Sequence, residues 1–150
     1  TFENLLALEL WKVNNTEAKE IWIEDGSVNI GRVVIPKTFW QQMRQSPLCF
    51  LDIPFDERLN YITGTYGNFD KEKLTESILK IQKRLGGLDT KNAIRFLSEN
   101  KFREAFAILL AYYDKMYERG LQNRENILSL LNKVTCKNVT VTNAEKLNNL

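Results

Sequence analysis

Residues 21–31 constrain the fold of this chain more than any other stretch. An apolar run over residues 21–23 leads directly into two adjacent carboxylates, Glu24 and Asp25, and then into a short polar loop. Ligands in open parallel sheets bind beyond the carboxyl ends of the strands, so this order predicts a strand over residues 20–24 that brings Glu24 to a site. Adjacent side chains alternate along a strand, so we expect Asp25 to point away from Glu24.

Composition sets the broad class of the protein. The 150 residues are 43% hydrophobic, which is enough for one domain with its own core, and the net charge of +2 does not by itself demand a nucleic-acid partner. The two cysteines, Cys49 and Cys136, lie far apart among strand-forming residues. This placement predicts buried thiols in a reducing compartment, hence a cytoplasmic protein. No apolar run approaches 18 residues, so no membrane partner is expected.

The first half of the chain alternates helices and strands. Apolar spacing predicts a helix that begins at Phe2 and ends at the Asn14-Asn15 turn, a helix over residues 36–45 and a helix over residues 56–66. Continuous apolar residues predict a central parallel strand over residues 48–53.

The second half of the chain is mostly helical. Long amphipathic helices are predicted over residues 69–84, 89–97 and 101–119, followed by a short helix at residues 127–131 and a strand over residues 134–141. A final helix starts at Thr142 or Asn143. Together, these predicted elements indicate a helix-rich α/β fold with a helical insertion or lid at about residues 68–132.

The chain contains no phosphate-binding loop of the form Gly-x-x-x-x-Gly-Lys-[Ser/Thr], and it begins at Thr1 inside a helical pattern. We therefore expect a fragment of a longer protein.

The order of predicted elements resembles the second half of a P-loop nucleotide-binding domain of the kinase type, and several short motifs narrow the resemblance. They are Phe2-Glu3-Asn4-Leu5-Leu6-Ala7, Ile21-Trp22-Ile23-Glu24, Ile30-Gly31-Arg32, Met43-Arg44, Glu57-Arg58, Lys83-Arg84-Leu85-Gly86-Gly87 and Leu110-Ala111-Tyr112-Tyr113-Asp114-Lys115-Met116-Tyr117. In this order they resemble the carboxy-terminal P-loop domain of the tRNA 2-selenouridine synthase family. The resemblance implies that residues 1–150 form an incomplete P-loop kinase-like domain, with a three-layer parallel sheet.

The family resemblance also implies a chemistry for the longer protein. Such enzymes replace the sulfur of wobble 2-thiouridine in tRNA with selenium from selenophosphate, with a geranylated intermediate, and carry a rhodanese-like domain before the P-loop domain. We therefore expect tRNA as partner and, in the longer protein, selenophosphate and a nucleotide with Mg²⁺ or geranyl diphosphate. This chain alone is expected to hold no cofactor and to be inactive. Gly26 and Val28 depart from the family's Glu-x-Glu-Ser-Arg pattern, which weakens a phosphate or metal site.

Glu24 is the candidate catalytic residue. By the resemblance it is the acid of the second strand, which holds Mg²⁺ through water or orients an attacking group. The alternative is a solvated loop carboxylate that follows a strand.

Cations and glycines supply the candidate phosphate- or tRNA-binding residues. Separate segments carry Arg32, Arg44, Arg58, Lys83 and Arg84, and the resemblance implies that these segments approach one cleft. Gly86 and Gly87 follow directly and allow a phosphate close to the backbone. The alternative for each cation is a solvated helix face.

Tyr112, Tyr113 and Tyr117 are candidates for stacking on an unpaired base. Packing of the helix against the core is the competing interpretation, since Tyr113 continues an apolar stripe.

The missing phosphate-loop strand would leave a gap in the sheet between residues 20–24 and 48–53. We expect direct pairing, a homodimer or a separately bound segment to close it, because unpaired central edges are costly. Two other functions stay open, a P-loop kinase of a small metabolite and a nonenzymatic interaction module.

Overall fold

The computed structural model of the chain describes residues 1–17 and 20–147. Its helices are α1 (Phe2–Asn14), α2 (Lys37–Gln45), α3 (Phe55–Tyr66), α4 (Lys71–Leu85), α5 (Gly87–Ser98), α6 (Phe102–Gln122), α7 (Ile127–Leu130) and α8 (Thr142–Glu145). Its strands are β1 (Asn29–Ile30), β2 (Val33–Val34), β3 (Leu48–Asp52) and β4 (Leu131–Thr135). The predicted helix-rich α/β class is therefore confirmed, and in the described part no helix is long and apolar enough to cross a membrane.

Two small sheets accompany the helices. β3 and β4 pair in parallel, with Leu48 opposite Leu131 and Asp52 opposite Thr135. β1 and β2 form an antiparallel hairpin that the sequence patterns did not predict. Gly31 has a φ of 61°, which provides the left-handed backbone that a two-residue hairpin turn needs.

The strand predicted over residues 20–24 is wrong. Residues 20–27 belong to no strand, and Ile21, Trp22 and Ile23 are about half exposed. Strands form only where a neighbour lies about 4.8 Å away to pair with their N–H and C=O groups. Here a cleft of about 340 Å³, the sheet-edge cleft, lies between residues 21–25 and β3.

The three-layer parallel sheet is consequently not formed by the described residues, where β3 pairs with β4 alone. Of the three ways in which the gap could close, direct pairing of residues 20–24 with β3 is wrong. A homodimer and a separately bound segment stay predictions.

The boundaries of three later elements also differ from the sequence predictions. The last strand is β4 at residues 131–135 rather than 134–141, because its register is set by pairing with β3. Helix α6 passes through Gly120 and ends at Gln122. Helix α5 starts at Gly87, directly after Gly86, whose φ of 96° ends α4.

The core lies between the long helices. One buried cluster joins α4, α5 and α6 and consists of Ile78, Leu85, Ala93, Leu97 and Ala105. A second cluster joins α3 to α6 and consists of Leu59, Phe106 and Leu110. Helices α4 to α7 fall within the predicted insertion at residues 68–132, and the division of the chain into a P-loop-like part and an insertion stays a prediction.

Replacing Ile78 by Ala is expected to lower the free energy of unfolding by about 2–5 kcal/mol, because it leaves a cavity among α4, α5 and α6. Ile78 is 2% exposed, whereas its neighbour Leu79 on the same helix is 41% exposed. Urea denaturation followed by circular dichroism measures the change. Leu79→Ala is the control, and an equal loss in both variants would contradict the location of the core.

Candidate functional site

A groove of about 580 Å³ runs between the end of α4, the start of α5 and the middle of α6. We call it the basic groove, because three cations line it against one carboxylate. The cations are Arg84, Lys115 and Arg119, and the carboxylate is Asp89; the remaining lining residues are Leu85, Ala107, Ile108, Ala111, Tyr112 and Met116.

The cations of the basic groove are free to meet a ligand. Arg84, Lys115 and Arg119 are exposed, and none forms an ion pair with any residue in the described part of the chain. Ala107 and Ala111 carry only methyl groups, so a ligand can come close to helix α6 there. An excess of unpaired positive charge in a groove attracts phosphate groups and raises their local concentration.

A second, smaller cleft of about 250 Å³ lies beside the first, between α6, α2 and the loop at residues 25–27. We call it the tyrosine cleft, because the half-exposed rings of Tyr113 and Tyr117 form one side of it. Its polar side chains are Asp25, Ser27 and Arg44.

A buried ion pair holds the loop of the tyrosine cleft in place. Nη2 of Arg124 donates to Oδ1 of Asp25 at 2.6 Å, and the Arg124 side chain is only 1% exposed. Arg124 also donates from Nη1 to the Met43 carbonyl at 3.5 Å, while Nη2 of Arg44 donates to the Gly120 carbonyl at 3.1 Å. These two bonds run in opposite directions between α2 and residues 120–124, so the residues that hold the loop are themselves linked to each other.

The charge of Arg44 depends on the same neighbours. Partial burial lowers the pKa of Arg44, nearby Arg124 lowers it further, and Asp25 acts in the opposite direction. An arginine pKa lies so far above neutrality that the guanidinium stays charged. Arg44 therefore brings a fixed positive charge to the tyrosine cleft.

Arg58 is engaged within the protein. Its two Nη atoms donate to both carboxylate oxygens of Asp114 at 2.6 and 2.9 Å, and its Nε donates to the Ile53 carbonyl at 3.0 Å. The hydrogen bond with Asp114 is the largest reason why the pKa of Arg58 is raised. This fork joins the start of α3 and the segment after β3 to α6, and the predicted phosphate role of Arg58 stays a prediction.

An apolar cleft of about 580 Å³ lies between α1, residues 21–30 and α2. Its walls include Phe2, Leu6, Leu10, Val13, Ile23, Ile35, Phe39 and Met43. Glu24 lines both this apolar cleft and the sheet-edge cleft.

Metal ligands are sparse around Glu24. The described residues contain no group of three histidine, cysteine or acidic side chains that could hold a metal ion. Mg²⁺ is often held by one or two carboxylates together with waters and substrate phosphates. Glu24 therefore fits Mg²⁺ only as one ligand of an ion that a bound phosphate group also holds.

The structure separates the predicted cations. Arg84 lies in the basic groove, Arg44 in the tyrosine cleft, and Arg58 is paired with Asp114. Arg32 lies in the turn between β1 and β2, and Lys83 is exposed in the last turn of α4.

The predicted glycines and tyrosines are also divided. Gly86 and Gly87 join α4 to α5, next to Arg84. Tyr112 lines the basic groove and also packs against the core, whereas Tyr113 and Tyr117 line the tyrosine cleft. Their predicted roles in binding stay predictions.

Sequence reasoning missed Lys115, Arg119 and the pair of Asp25 with Arg124. The helical spacing of Tyr112, Lys115 and Arg119 places them on one face of α6. This spacing is a signal in the sequence from which the shared face could have been predicted. No local pattern connects Asp25 with Arg124, since 99 positions separate them.

Comparison with known proteins relates the chain to AAA domains of one enzyme family. Residues 1–72 match the family described as the tRNA 2-selenouridine synthase AAA domain. Similar proteins are the tRNA 2-selenouridine synthases of Shewanella frigidimarina, 33% identical over 83% of this chain and 42% of that protein, and of Shewanella sediminis, 31% identical over 83% and 42%. The family prediction is confirmed: the chain belongs with the tRNA 2-selenouridine synthases.

The chain spans about two fifths of the length of the curated relatives that it matches, as the 42% coverage of the Shewanella frigidimarina protein illustrates. No solved structure matches the chain.

Replacing Asp25 by Asn is expected to lower the free energy of unfolding by about 3 kcal/mol, because it leaves the Arg124 charge buried without a counter-ion. Asp56→Asn is the matched control, since it breaks an exposed pair with Arg103 and should cost at most about 1 kcal/mol. Urea denaturation measures both values. Equal values would show that the Asp25 pair does not hold the loop.

Proposed function

We propose that the chain is part of an enzyme that exchanges the sulfur of wobble 2-thiouridine in tRNA for selenium, and that its basic groove binds the tRNA backbone. The observation that carries the proposal is a set of three cations around one groove, Arg84, Lys115 and Arg119, which form no ion pair with the residues that the structure describes. The matched family and the names of the relatives support tRNA as the substrate.

The geometry of the basic groove suits RNA better than a single small anion. Arg84 comes from α4, whereas Lys115 and Arg119 lie one helical turn apart on α6, so the positive charges are spread along the groove. Successive phosphates of a nucleic-acid strand can each meet one cation, and each contact releases counter-ions. Contacts of this kind position the RNA, while selectivity must come from contacts to bases.

The apolar cleft and Glu24 support the second part of the chemistry, a geranylated intermediate. A geranyl chain needs a mostly apolar cavity, and this cleft is walled by aliphatic and aromatic side chains over about 580 Å³. Glu24 lies at its wall, where a Mg²⁺ ion shared with the diphosphate would screen the negative charge of the leaving group. In this proposal Glu24 holds the metal or orients the attacking group, and selenophosphate is the selenium donor.

The basic groove predicts a salt-dependent affinity for the thiolated anticodon stem-loop. Arg84→Ala, Lys115→Ala and Arg119→Ala should each reduce the slope of log affinity against log salt by about 0.7 to 0.9, the change expected for one lost phosphate contact. Fluorescence anisotropy across a salt series measures the slope.

Lys80→Ala is the control for the groove variants, because Lys80 is an exposed lysine of α4 that lies outside the basic groove. Equal effects of Lys80→Ala and Lys115→Ala would contradict the groove. If the unmodified chain binds no stem-loop at any salt concentration, the tRNA proposal fails, and kinase assays with small metabolites become the next test.

Glu24→Gln is expected to abolish the Mg²⁺ dependence of geranyl diphosphate binding, with a loss of about tenfold in affinity, or roughly 1.4 kcal/mol. Calorimetric titration with and without Mg²⁺ measures it. Glu9→Gln is the control, because Glu9 lines the same cleft but is already paired with Lys12 at 2.7 Å. Binding of geranyl diphosphate that does not depend on Mg²⁺ would exclude Glu24 as a metal ligand. A complete absence of binding would exclude the apolar cleft as the geranyl site.

A further inference from the structure

We propose that the tyrosine cleft accepts one unpaired base of the RNA whose backbone lies in the basic groove. The inference rests on the proposed function, and it assigns a base-binding role to a cleft that is separate from the groove for the phosphates. It divides the tyrosines of α6 into two roles, with Tyr117 and Tyr113 at the base and Tyr112 beside the backbone.

The two cavities are neighbours. Met116 lines both the basic groove and the tyrosine cleft, so this one side chain forms the ridge between them. The rings of Tyr112 and Tyr113, one on each side, are in edge contact with centroids 5.2 Å apart. A nucleotide with its phosphate on the cations of the groove would therefore place its base across Met116, in the tyrosine cleft.

The size and surface of the tyrosine cleft suit a single flat ring. Its volume of about 250 Å³ is less than half that of the basic groove, and Tyr113 and Tyr117 are 48% and 54% exposed. Aromatic side chains that present their faces to solvent are common stacking partners for unpaired bases. A tyrosine buried in the core would not offer such a face.

Polar groups opposite the tyrosines can read the edge of a base. The Arg44 guanidinium donates hydrogen bonds, and the Asp25 carboxylate accepts them. The Ser27 oxygen accepts from the Asn29 amide at 3.2 Å, so the hydroxyl proton of Ser27 stays available for donation. The cleft thus offers both donors and an acceptor beside an aromatic wall.

These polar groups are fixed before any RNA arrives. Asp25 is held by buried Arg124, and Arg44 is held by the Gly120 carbonyl. A preorganised edge loses less entropy on binding than a mobile loop does, which favours selection among bases. The ion pair that stabilises the fold therefore also shapes the base-binding cleft.

The test uses a set of stem-loop RNAs in which each loop nucleotide in turn is replaced by an abasic one. Tyr117→Leu should weaken binding of the intact stem-loop by about fivefold to a hundredfold, the loss expected for one stacked base. At one loop position the abasic RNA should bind Tyr117→Leu as well as it binds the unmodified chain. Tyr117→Phe keeps the ring and should retain binding.

Tyr61→Leu is the control, because Tyr61 is 55% exposed on α3 and lies outside both cavities. The inference is overturned if Tyr117→Leu weakens every abasic RNA as much as the intact one, or if Tyr61→Leu has the same effect. In that case, salt-dependent RNA binding that is weakened by the groove variants would still support the proposed function. If the unmodified chain binds no RNA, both proposals fall.

Discussion

The packing of helix α6 against its neighbours is the interaction on which the rest of the structure depends. Ala105 is completely buried against α4 and α5, while Phe106 and Leu110 are buried against α3. Close-packed interiors resist rotation of a helix, so fixing these residues also fixes the face of α6 on which every other residue lies. The basic groove and the tyrosine cleft are two sides of this one helix, and their separation follows from its packing.

The arginines form two groups: some are paired within the protein, and others are available to a ligand. This division decides where an anionic ligand can bind. Arg58 and Arg124 form short ion pairs with Asp114 and Asp25, which tie distant segments together. Arg84 and Arg119 have no such partner in the described part of the chain. The charge of a paired guanidinium is balanced by its carboxylate, whereas an unpaired guanidinium in a groove attracts anions. The five cations predicted from the sequence as one group therefore do not line one shared cavity.

Sequence reasoning succeeded for the helices and for the parallel strand β3 at residues 48–52, and it failed for the strand predicted at residues 20–24. The helices at residues 2–14, 37–45 and 55–66 are confirmed, because their apolar spacing, prolines and end residues are local signals. The apolar run at residues 21–23 carries an equally good strand signal, yet it forms no strand, because pairing requires a neighbour that no local signal supplies. Within the candidate site, Arg84 and the tyrosines were found from the sequence, whereas the bond between Asp25 and Arg124 joins residues 99 positions apart.

The sequence by itself determined the helix-rich α/β class, the family and the residue types that can bind phosphates and bases. These properties depend on composition, on short-range periodicity and on motifs in a fixed order. Only the tertiary structure decided which of those residues share a cavity, which are paired inside the protein, and that Tyr112 and Tyr117 face different clefts. The physical reason is that packing brings together residues remote in the chain, and a cation or an aromatic ring gains its role from those neighbours rather than from its own segment.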